Sequence, residues 1–124
     1  MTKDLDRSSQ STLNMDELLT RVENDRDLLR ELIDLFKQEL PRILQHLRSS
    51  IAGGDIKNVE VASHTLKGML SGLSAMRAAA TVSQLEAMAR AGKTTDMPAG
   101  LKLLEKEITE LLPELDACTA EAKA

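Results

Sequence analysis

The chain has 124 residues with a formal net charge of −4, 42% apolar and 29% charged residues, one cysteine and one aromatic, Phe36. That is enough material for one ordinary core, but it gives no electrostatic case for nucleic acid or anionic membrane and no stacking platform for single strands. The single cysteine, Cys118, excludes an internal disulfide and any Cys-pair zinc motif.

No apolar run approaches the roughly 20 residues of a membrane span, and the N-terminus lacks a signal-peptide core. The expected setting is therefore cytoplasmic, without direct membrane contact. A core without aromatics must be built from Leu, Ile, Val, Met and Ala, which favours packed helices over a sheet sandwich.

Residues 1–13 are polar and aperiodic and read as a flexible lead or linker. Asn14 offers an N-cap, with Glu17 completing a capping-box pattern, and this predicts a short helix over about 15–22. Asn24 and Asp25 form the next cap signal. After them Leu29, Leu32, Phe36, Leu40, Ile43, Leu47 and Ile51 recur at spacings of three or four, a pattern only a helix gives over such length. Pro41 falls inside this run and predicts a kink, while Gly53-Gly54 ends it. Asp55 caps a third helix whose inner stripe is Ile56, Val59, Ala62, Leu66, Met69 and Leu73. A turn near Ser74 leads to a fourth helix carrying Ala75, Ala78, Val82, Leu85 and Ala89, closed by Gly92. The fifth starts near Asp96, with Pro98 tolerated in its first turn and Pro113 expected to bend or fray its second half. Its stripe is Leu101, Leu104, Ile108, Leu111, Leu115 and Cys118, and residues 120–124 read as a loose tail.

No segment alternates with period two, so the expected fold is all-α: an antiparallel up-down four-helix bundle over 14–119 with a short extra N-terminal helix. The apolar stripes are wide enough to be satisfied within one bundle, so a monomer is expected.

The run His64-Thr65-Leu66-Lys67-Gly68 carries the chemistry. Glu60, Val61, Lys67 and Gly68 lie three or four positions from His64, with Lys57 and Ser71 a further turn away, on a face opposite the apolar stripe. His64 should therefore point outward, or into a groove against a neighbouring helix. Val61, Gly68 and Ser71 are small or apolar where a solvated face would carry charge. Rimmed by Lys57, Glu60 and Lys67, they suit a modest docking surface. A neutral imidazole is nucleophilic near pH 7, and Lys67 stands one turn on to offset the charge of a transferred phosphoryl group. The chain has no glycine-rich phosphate cradle and no clear magnesium site, so it can carry a phosphoryl group but not obviously make or remove one. A lone surface histidine beside a lysine most often has no chemical role, and pattern alone leaves that reading open. Metal binding is weaker still: His46 sits on another helix, and neither histidine has a second histidine at i, i+4 spacing.

At these residues the chain resembles the histidine-containing phosphotransfer (Hpt) family, well over 55–115 and more loosely across the second helix. His64-Thr65-Leu66-Lys67-Gly68 agrees with the family's H-x-L-K-G core, Leu73 and Ala75 fall at its Leu-Gly-Ala turn, and Leu85-Glu86 matches its Leu-Glu pair. The resemblance implies a helical bundle whose exposed histidine relays a phosphoryl group to or from an aspartate on a receiver domain of a response regulator or hybrid histidine kinase. It implies no cofactor of the chain's own, with Mg²⁺ and the aspartate supplied by the receiver. Nε2 of His64 would be the acceptor, Lys67 the neutralising cation, Gly68 the point of close approach, and Glu86 the group orienting the imidazole. An ordinary surface carboxylate remains an equal reading of Glu86.

Ser74 stands where the family usually has Gly, with Gly72 nearby to supply backbone freedom, and Met69-Leu70 is bulkier than usual. The expected function is a relay intermediate without kinase activity, cut from the C-terminus of a hybrid sensor kinase that could tether it to the membrane. The alternatives are the phosphoacceptor domain of a chemotaxis-type kinase, labelled by an ATP-binding domain, and a helical adaptor with an incidental histidine.

Overall fold

The computed structural model describes residues 13–123, with side chains through Cys118. Five helices and no strand occur among the described residues: α1 (Met15–Arg21), α2 (Arg26–Ala52), α3 (Ile56–Gly72), α4 (Met76–Ala91) and α5 (Met97–Lys123). The short connections force successive long helices to run antiparallel. α3 packs most extensively on α4, and contacts of α2 with α3, α4 with α5 and α5 with α2 close a four-helix ring. The core is a continuous Leu, Ile, Val and Ala cluster with Phe36 as its one aromatic. Apart from Leu13, which is buried in this core, the polar lead lies outside the described residues.

Caps set the helix starts. Asn14, Asp25 and Asp55 each accept a hydrogen bond from the backbone N–H three residues on, at 3.0, 3.0 and 3.2 Å. The reciprocal half of the capping box expected at Asn14 does not form. Its backbone N–H donates instead to the Ser74 carbonyl at 3.2 Å, and Glu17 accepts from the Ser74 hydroxyl at 3.1 Å and from Arg21. Glu17 thus ties α1 across the α3–α4 turn rather than back onto its own cap.

That turn corrects a second expectation. Ser74 itself takes the left-handed conformation, at φ 57°, while Gly72 stays helical as the last residue of α3. The cost of a non-glycine residue there is offset by burial of Ser74 and by its hydrogen bond to Glu17.

The buried faces are wider than the periodic stripes. Ile33 and Leu44 on α2 and Leu70 on α3 join the core, whereas Leu32, Ile51, Ile56, Met69 and Leu101 are only partly buried. A helix packed against two neighbours buries a face wider than one a/d row. α2 continues unbroken through Pro41, and α5 through Pro113 to Lys123. With Leu70 sealed in the core, only Met69 of the bulky pair reaches a surface groove.

Candidate functional site

His64 lies mid-way along α3, opposite the buried Val59, Ala62, Leu66 and Leu70, so its imidazole is carried outward on a rigid rod. The side chain is 68% exposed. From the adjoining helix, Glu86 reaches it: Nδ1 and the Glu86 Oε2 are 2.9 Å apart. Glu86 is no surface carboxylate, being only 2% exposed. Lys67 Nζ donates to its Oε1 at 2.7 Å, and Arg90 Nη2 donates to its Oε2 at 2.8 Å. Arg90 Nε in turn donates to Glu60 Oε2 on α3 at 3.0 Å. A continuous network results, from Glu60 to Arg90 to Glu86 and on to His64 and Lys67, with three of its contacts crossing between α3 and α4.

The electrostatics of this network fix the imidazole. The Lys67 hydrogen bond, with that of His64 and the charge of Arg90, holds the Glu86 carboxyl below its ordinary value despite the desolvation it suffers. An ionised carboxylate only accepts hydrogen bonds, so Nδ1 must carry the ring proton. In the neutral imidazole the lone pair is then on Nε2, the nitrogen not bound to Glu86.

Around the ring, Lys57, Glu60, Val61, Thr65, Glu86 and Arg90 line a shallow groove. Val61 is half exposed. Gly68 opens instead onto a neighbouring apolar groove with Leu32, Leu35, Phe36, Met69, Gly72 and Leu73. A Cβ built on Gly68 would meet nothing within 4 Å, so the fold itself does not require a glycine there. Ser71 lines neither groove. His46 is exposed on α2 in a third groove that also touches Val61 and Thr65.

Two features escaped the sequence reading: Arg90, and the engagement of Lys67 by Glu86. Glu86 and Arg90 stand at i, i+4 on one helix, a legible ion-pair spacing, but nothing in the sequence marks the carboxylate between them as buried. Among the described residues no cluster of His, Cys, Asp and Glu could hold a metal ion, and no helix is long and apolar enough to cross a membrane.

A family model described as the Hpt domain matches residues 31–117. The chain belongs to the Hpt family. As an Hpt domain it is a phosphotransfer signalling module, of the kind that meets receiver domains in phosphorelays. Among solved structures, the histidine-containing phosphotransfer protein B (HptB) of Pseudomonas aeruginosa PAO1 is similar in fold. It superposes with a TM-score of 0.73 at 24% identity, over 90% of this Hpt domain and 91% of that chain. No curated protein sequence matches.

Proposed function

We propose that Nε2 of His64 accepts a phosphoryl group from the aspartyl phosphate of a receiver domain and returns it to an aspartate of the same kind. The observation that carries this reading is the buried Glu86 holding the Nδ1 proton of an exposed ring. In the transfer, the Nε2 lone pair forms the N–P bond as the P–O bond of the acyl phosphate breaks, and the aspartate departs as a carboxylate. No proton needs to move. The Nδ1 proton stays on the ring, and Glu86 offsets the positive charge the ring acquires.

Lys67 is the cation placed one turn on to meet the incoming phosphoryl oxygens. Lys57, Glu60, Val61 and Gly68 would contact the receiver. Ser71, which lines neither groove beside the ring, is the weakest member of that set. Glu60 and Glu86 are already engaged by Arg90 and Lys67, so Mg²⁺ comes with the receiver, where positioning and charge neutralisation supply most of the catalysis. The phosphodonor in this reading is the receiver of a hybrid sensor kinase, and the Hpt domain acts as carrier without kinase activity of its own.

The test is phosphotransfer from a panel of phosphorylated receiver domains to the wild-type chain and to His64→Gln. Acid-labile, base-stable labelling of the wild type alone is expected, and labelling retained in the variant overturns the assignment. Labelling by ATP and an isolated kinase catalytic domain, with every receiver inert, would replace the receiver by a chemotaxis-type kinase as donor.

A further inference from the structure

Lys67 has two claims on it. The phosphoryl group on Nε2 needs a cation, yet Lys67 Nζ is already bound to Glu86 Oε1 at 2.7 Å. If the ammonium turns toward the phosphoryl oxygens, it withdraws charge from a carboxylate that is only 2% exposed beneath its partners. A buried carboxylate stripped of its cation is costly, and that cost would hold Lys67 where it is.

A second cation removes the conflict. Arg90 bonds Glu86 Oε2, the oxygen Lys67 does not use, and its own side chain is fastened by Glu60 on the opposite helix. We propose that Arg90 is a positioning residue that keeps Glu86 charge-balanced, so that Lys67 is free to exchange from Glu86 to the phosphoryl group. The proposal rests on the phosphoacceptor reading of His64. It gives Arg90 no contact with the phosphoryl group and a role through Glu86 alone, to which its Nη2 donates while its Nε is held by Glu60. Its role exists only because position 86 is ionised. A neutral Gln at that position could still accept a hydrogen bond from Nδ1–H but would leave no charge to balance.

The experiment is a double-mutant cycle on the full chain. The probe is the receiver domain that labels the wild type fastest in a panel, and transfer rate is followed beside phosphohistidine lifetime. Arg90→Met is expected to slow transfer about tenfold and shorten the lifetime, as the price of a buried charge left with one cation fewer. In the Glu86→Gln background the same substitution should change the rate less than about twofold. Arg90→Lys, which keeps a cation on the carboxylate, should retain most of the wild-type rate. Equal losses in both backgrounds, no loss in either, or an Arg90→Lys loss as large as that of Arg90→Met would each overturn the proposal. Arg90 is largely exposed, so these variants should fold. A wild type that neither a receiver nor a kinase catalytic domain labels at His64 would instead sink the phosphoacceptor reading.

Discussion

The chemistry of His64 is set by a residue on another helix. Glu86 is ionised, nearly sealed from water and bound by three donors, of which Lys67 lowers its titration most. A carboxyl whose folded value is lowered stabilises the fold above its ordinary value near 4.5, and that contribution is lost as pH falls through the lower folded value. The wild type should therefore lose stability on acidification below about pH 4.5 more steeply than Glu86→Gln. At pH 7 the Gln variant should be the less stable of the two. Urea unfolding midpoints from pH 7 down to pH 3 check both statements, and coincident curves would show that the cluster contributes nothing to the fold.

At the scale of the elements, two helical glycines separate packing from access. Gly100 lies in α5 against α4, where an added Cβ would stand 2.9 Å from Leu85 Cδ2, a fully buried side chain. Gly100→Ala should destabilise the protein in a thermal melt, because the clash outweighs the gain in helix propensity. Gly68 is the opposite case, with open space where its side chain would be. Gly68→Ala should raise stability by about 0.5–1 kcal/mol, the ordinary advantage of alanine over glycine in a helix. It should also slow transfer from a receiver while leaving labelling by phosphoramidate, a small phosphodonor, intact. Loss of stability at Gly68 would mean that the glycine serves the bundle and not a visitor. The α3–α4 turn shows how local strain is held by tertiary structure. Ser74 keeps its left-handed backbone because its carbonyl and hydroxyl are used by Asn14 at the cap of α1 and by Glu17 within it.

Across the whole molecule, the bundle is a platform that holds α3 and α4 in fixed register so that Glu86 meets His64. The core that does this is almost entirely aliphatic, and Leu66, directly after the His64-Thr65 pair, is fully buried in it. Leu66→Ala should cost about 2–5 kcal/mol by transfer and cavity terms, lowering the melting midpoint by roughly 10 °C or more. A change of only a degree or two would show that α3 is held mainly from elsewhere. The site also departs from the overall charge. Lys57 and Arg90 balance Glu60 and Glu86 along the groove, with Lys67 beside it on Glu86, in a chain of net charge −4.

Helix number, helix starts, the ends of all but the last helix, the outward direction of His64 and the H-x-L-K-G pattern were legible in the sequence. They depend on periodicity, capping residues and spacing along a single helix, which act within a few residues. The width of the buried faces, the left-handed Ser74, the sealing of Glu86 and the Arg90 clasp were decided only when the helices packed. Each depends on what a neighbouring helix brings within 3 Å and on how far it excludes water, and a carboxylate reads the same along the chain whether its cations come from its own helix or from across a groove.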